Sequence, residues 1–88
     1  MRFTVARLCG GKALMATPRE PLEIDLDRAG EILADESSVR QKEDMILVLE
    51  WNGMETTLYP QGKIMFYPLE DRDLCIRYAS DILNRISG

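Results

Sequence analysis

Apolar residues recur along this chain in two rhythms, every second position in some stretches and every third or fourth in others. The first rhythm predicts strands and the second helices, because side chains alternate across a strand but return to one helix face after a turn. In residues 2–9, Phe3, Val5 and Cys9 fall on one side and Thr4, Ala6 and Leu8 on the other. Gly10-Gly11 can supply the positive φ of a hairpin turn, so Lys12 to Ala16 reads as a returning strand. One long strand kinked at the glycines is the competing reading. Pro18-Arg19-Glu20-Pro21 is a rigid loop lacking two backbone donors. Asp25 then suits a helix N-cap and Asp27 the positive end of the helix dipole, with Leu26, Ala29, Ile32 and Leu33 as the buried stripe. Gly30 either weakens this helix by roughly 1 kcal/mol or marks close approach to a sheet.

Asp35 to Asp44 is polar and charged and reads as a mobile connector. Met45 to Leu49 is continuously apolar, which predicts a central strand covered on part of both faces. Asn52-Gly53 is the strongest local signal in the chain and predicts a type I′ turn. Beyond it Met54, Thr56 and Leu58 oppose Glu55, Thr57 and Tyr59. Pro60-Gln61-Gly62 marks a second turn, followed by a strand with Ile64 and Phe66 on one face and Met65 and Tyr67 on the other. Leu69 and Glu70-Asp71 open a last helix whose apolar face is Leu74, Cys75, Tyr78, Ala79, Ile82 and Ile86. Asp73, Arg77, Asp81 and Arg85 form an outer ladder of opposite charges four apart, each Asp-to-Arg pair contributing about 0.2–0.5 kcal/mol.

These elements predict an α+β fold: an antiparallel sheet of four to five strands with two helices packed on one face. At 88 residues the chain is one domain, 1–88, near the lower end of what folds alone, and dimerisation would help it bury more surface. An apolar fraction of 45% and a charged fraction of 30% are those of an ordinary globular chain. The N-terminus is broken by charge and does not read as a signal peptide, and no segment approaches the roughly 20 apolar residues of a membrane span. A cytoplasmic chain that does not engage membranes is the expectation.

Charge and residue inventory narrow the chemistry. A net charge of −4 disfavours nucleic-acid binding driven by clustered Lys and Arg, though a locally basic face stays open. There is no histidine, and Cys9 and Cys75 lie far apart, which removes zinc spacing and His-based catalysis and fits reduced thiols. Cys75 sits on an apolar helix stripe, where burial makes a thiol inert, whereas Cys9 beside the glycines is the more accessible thiol. Gly10-Gly11-Lys12 resembles a phosphate-cradling turn but lacks the rest of a P-loop. The carboxylates occupy helix starts, outer faces and the connector, and none is paired for acid–base work. The chain therefore reads as a non-enzyme without cofactor, metal or catalytic residues.

The aromatics carry what remains. Phe66 reads as core. Strand parity places Tyr59 and Tyr67 on the face opposite the helices, together with Thr57, Lys63 and Met65. There they either stack on bases, pack against a partner or serve as half-exposed structural residues. These five residues are the candidate contact face.

Thr57-Leu58-Tyr59-Pro60-Gln61-Gly62-Lys63-Ile64 resembles the Gly-Lys turn of the TATA-binding-protein fold, shortened by about a residue, and the helix from Asp71, with Ala79 and Ile82, is similar to that family's closing helix. Val5-Ala6 and Asp25-Leu26-Asp27 are fainter likenesses. The resemblance implies a single half-repeat in which a strand and helix precede a strand meander and a long closing helix. Tyr59 stands where the family places one DNA-bending phenylalanine. The Ser37-Ser38-Val39-Arg40-Gln41-Lys42 connector lacks a second, and a complete saddle would need a homodimer. The double-stranded-RNA-binding domain shares the helix, three-strand, helix order, but Glu70-Asp71-Arg72-Asp73 replaces its Lys-rich helix start. The function expected from all this is a binding module that uses its open sheet face for self-association, as a dimer, or for a protein partner. A small nucleic-acid-binding protein is the alternative. An enzyme or ligand carrier working from a pocket between helix and sheet is third.

Overall fold

A computed structural model describes residues 2–35 and 38–87. It holds one antiparallel six-stranded sheet and two α-helices. Strands β1 (Phe3–Leu8) and β2 (Ala13–Pro18) form the N-terminal hairpin. A short 3-10 turn over Cys9–Gly11 joins them, with Gly10 and Gly11 at φ of +71° and +92°. Helix α1 (Leu26–Leu33) follows, then β3 (Ser38–Lys42), β4 (Leu47–Trp51), β5 (Met54–Leu58), β6 (Ile64–Tyr67) and helix α2 (Arg72–Ser87). The sheet order is β1-β2-β6-β5-β4-β3.

Local chemistry explains most boundaries. The Asp25 side chain accepts from the backbone N–H groups of Asp27 and Arg28 at 3.0 and 3.3 Å, capping α1. Asp71 caps α2 in the same way, accepting from Asp73 and Leu74 at 2.9 and 3.2 Å. Asn52 and Gly53 both adopt positive φ, as a two-residue type I′ turn requires. In the next turn the Gly62 N–H donates to the Tyr59 carbonyl at 3.0 Å, and Gly62 sits at φ +100°. The Pro18–Asp25 connection is strapped to this turn, because Leu22 and Ile24 donate to the Gln61 and Pro60 carbonyls at 2.9 Å each.

One face of the sheet is the core. Leu14 and Phe66 are paired across β2 and β6, Thr56 follows on β5 and Leu49 on β4. Ala16, Ile64, Leu58 and Leu47 make the next row on the same face. Both helices lie on this face. A Cβ added to Gly30 of α1 would sit 3.5 Å from Leu47, and Tyr78 of α2 tilts against Phe66 with ring centroids 6.1 Å apart. The glycine therefore marks helix–sheet approach. Leu26, Ala29 and Leu33 of α1 join Cys75, Ala79, Ile82 and Leu83 of α2 in the core. Ile32 stays half-buried, and Leu83, which the periodicity reading left off the apolar face, is buried. Thr56 is buried too, and its hydroxyl donates to the Met54 carbonyl at 3.2 Å.

Three expectations are corrected. The sheet has six strands where four to five were expected, because residues 38–42 of the connector form β3. Residues 36–37 of that connector lie outside the described residues. The β4 strand starts at Leu47 and not Met45, which is 60% exposed in the preceding turn. Nor is β4 central: it lies next to the β3 edge, with Val48 only half-buried. The β3 edge itself carries a bulge between Val39 and Gln41, and its cations are engaged, Arg40 with Glu50 and Lys42 with Asp27. A charged, bulged strand of this kind is a poor template for edge pairing.

Candidate functional site

The five residues singled out by parity fall on the face away from the helices. Thr57 of β5 pairs directly with Met65 of β6, and Tyr67 pairs with Glu55. Tyr59 and Lys63 lie just past the strand ends, joined by the Tyr59 N–H donating to the Lys63 carbonyl at 2.9 Å. Each is an even number of residues from Thr57 or Met65, so alternation carries both onto the same face. Tyr67 is 43% exposed, Lys63 is exposed, Tyr59 and Met65 are half-buried, and Thr57 is buried between larger neighbours.

The register extends this face well beyond those five. A single transverse row runs Ala6, Met15, Met65, Thr57, Val48, Gln41 across all six strands. Its middle is apolar and half-open to solvent, with Met15, Met65 and Val48 all of intermediate exposure. Charge gathers at the two ends. Tyr67, Glu55 and Glu50 lie in the row toward one end, and Lys63 stands at the other beside Tyr59. Ala6, Met15 and Val48 were not assigned to the contact face from the sequence. Met15 and Val48 sit in uniformly apolar runs that show no alternation, and which strands β2 and β4 flank is not a local property.

Other chemistry-bearing groups sit elsewhere. Cys75 is free and fully buried. Desolvation pushes its thiol up from 9.0 to about 11, opposed by the weaker pull of the Arg72 charge. The backbone of Cys9 opens the 3-10 turn, while its side chain lies outside the described residues. The single tryptophan, Trp51, is buried on the core face with the Arg85 guanidinium 5.1 Å from its ring centroid. Its indole N–H has no acceptor among the described residues. It borders a cavity of about 450 Å³ shared with Asn52, Arg77, Tyr78, Asp81 and Arg85, on the helix side of the sheet. Among the described residues no three His, Cys, Asp or Glu side chains cluster in a way that could hold a metal ion. No described helix is long and apolar enough to cross a membrane.

The raised Cys75 pKa has a testable sign. Between about pH 9 and 11 the unfolded chain releases this proton and the folded chain keeps it, so stability falls as pH rises through that window. Urea midpoints of the wild type should therefore decline more steeply over this range than those of Cys75→Ala. Parallel declines would show that the thiol is not desolvated in the fold.

Comparison with known proteins finds no matching family model, no matching curated protein and no matching solved structure.

Proposed function

We propose that this chain is a non-enzymatic binding module, resembling a single half-repeat of the TATA-binding-protein fold, that works through the open face of its sheet. The observation that carries the reading is the apolar row Met15, Met65, Thr57 and Val48, which neither helix covers and which Tyr59 and Tyr67 flank. A partner that covered this row would remove apolar surface from water at about 25 cal/mol per Å². The order β2, α1, the β3–β6 meander and α2 supports the likeness, with β1 as an added edge strand. So does Gly62 at positive φ immediately before Lys63. A free, protonated Cys75 suits a reducing compartment such as the cytoplasm. Glu55 on the face opposes phosphate binding, which favours self-association or a protein partner over nucleic acid.

Light scattering across a wide concentration range, with titration of duplex and single-stranded oligonucleotides at low salt, tests the reading. The expected result is an association that Tyr67→Ala and Met65→Glu each weaken about tenfold or more, a loss of about 1.4 kcal/mol, with the circular dichroism spectrum unchanged. A chain that stays monomeric and binds neither oligonucleotide at about 100 μM, the weak end of nonspecific affinity, overturns it.

A further inference from the structure

Charge on the open face is arranged so that the face complements itself, and we infer that its occupant is a second copy of this chain, packed face to face about a two-fold axis running along the Met15–Met65–Thr57–Val48 row. The inference rests on the reading of the open face as a binding surface. Lys63 stands two residues before Met65 on β6, and Tyr67 stands two residues after it. Each is therefore about 7 Å from the row, on opposite sides of it. Glu55 is the direct partner of Tyr67 on β5, and Tyr59 is joined to Lys63. On the β5–β6 half of the face, Lys63 thus lies on one side of the apolar row and Glu55 on the other, while Glu43, at the Lys63 end, accepts from the Gln41 side chain on the β3 edge.

A closed dimer uses the same patch on both copies, and two directions of its two-fold axis keep the strands of the copies aligned. An axis parallel to the strands brings like ends together, so that Glu55 faces the Glu55 end of the second copy and Lys63 its Lys63 end. An axis along the row exchanges the ends. Lys63 then lies over Tyr67 of the second copy, with Glu55 of that copy on the adjoining strand, and each such contact forms twice. Among the described residues neither Glu55 nor Lys63 belongs to an ion pair, whereas Glu50 is held by Arg40 and Lys42 by Asp27. The second arrangement satisfies both free charges, and the first opposes them. In the middle, residues of the row meet their own copies. Met15 and Met65, flexible and unbranched, can interdigitate across the roughly 10 Å that separates stacked sheets.

The size of the face sets the strength. Six strands about 4.8 Å apart and five residues long make a footprint of roughly 24 by 17 Å, or about 400 Å² per copy. That is about half of a standard interface, so the dimer belongs to the weak, concentration-dependent class.

Sedimentation equilibrium of the wild type, K63E, E55K, their equimolar mixture and the K63E/E55K double variant tests the arrangement, with thermal melts to check folding. The expected result is a reversible wild-type dimer that weakens with salt. Each single variant should dimerise at least about tenfold less well. The mixture should recover a heterodimer, and the double variant should dimerise as the wild type does. A wild-type dimer that M65E abolishes but that neither charge swap alters overturns the end-exchanged geometry and leaves the open face standing as a binding surface. A monomeric wild type overturns the second-copy assignment, and oligonucleotide binding sensitive to M65E would then give the face to nucleic acid. A wild-type dimer indifferent to M65E places the interface elsewhere and removes both readings.

Discussion

Phe66→Ala should cost about 3–5 kcal/mol, the largest loss expected from any single truncation in this chain. Phe66 is fully buried at the centre of β6, between Leu14 of β2 and Thr56 of β5. Its ring also tilts at 57° against Tyr78, a contact that adds about 0.5–1.5 kcal/mol beyond area burial. A chain of 88 residues has a total stability of about 4–13 kcal/mol, so the variant would lose a large share of it. Urea unfolding read by circular dichroism measures the change. The companion is Tyr67→Ala, one residue along and on the opposite face, which should cost about 1 kcal/mol or less. Because successive strand residues face opposite ways, equal costs at the two positions would mean that β6 is one residue out of register.

Gly62→Ala is expected to rank second, at about 2–5 kcal/mol, for two separable reasons. At φ +100° any side chain is strained by about 1–2 kcal/mol. The added Cβ would also lie 2.8 Å from Pro18 Cγ and 3.0 Å from Leu22 Cδ1, where the 18–25 connection is strapped to the turn. Overpacking of that kind costs a further 1–3 kcal/mol, roughly. Gly53→Ala isolates the first reason, since Gly53 has φ +78° and nothing within 4 Å of an added Cβ. It should cost about 1–2 kcal/mol. If both substitutions shift the melting temperature equally, the crowding around Gly62 is not real.

The contrast between these two glycines shows how legible the chain was. Both announced their turns in the sequence, through Asn52-Gly53 and Pro60-Gln61-Gly62, because positive φ is a local property. The Pro18 and Leu22 contacts around Gly62 are long-range and had no local signature. The Asp25 cap, the acidic start of α2 at Asp71 and the helix stripes apart from Ile32 and Leu83 were equally readable, as was the parity of Thr57, Met65 and Tyr67. β3 was not. Its only apolar residue is Val39, and what holds it is backbone pairing with β4 plus the Arg40–Glu50 and Lys42–Asp27 contacts. A reading keyed to apolar periodicity has nothing to detect in such a strand. The continuous run Met45–Leu49 misled in the opposite sense, since Met45 belongs to a turn that Glu43 and Ile46 close by a 2.9 Å hydrogen bond.

By itself the sequence determined the glycine-bearing turns, where the helices begin and which residues share a side of β5 and β6. These follow from φ preferences, capping and the two-residue period, all of which act within a few positions. Only the tertiary structure decided that β2 lies against β6, that β3 closes the far edge and that Met15, Met65, Thr57 and Val48 form one row. Strand order depends on pairing between segments up to about fifty residues apart, which no local pattern encodes. The open face was foreseeable as a side of individual strands. Its apolar middle, with Lys63 and Glu55 on opposite sides of it, exists only once the six strands are assembled.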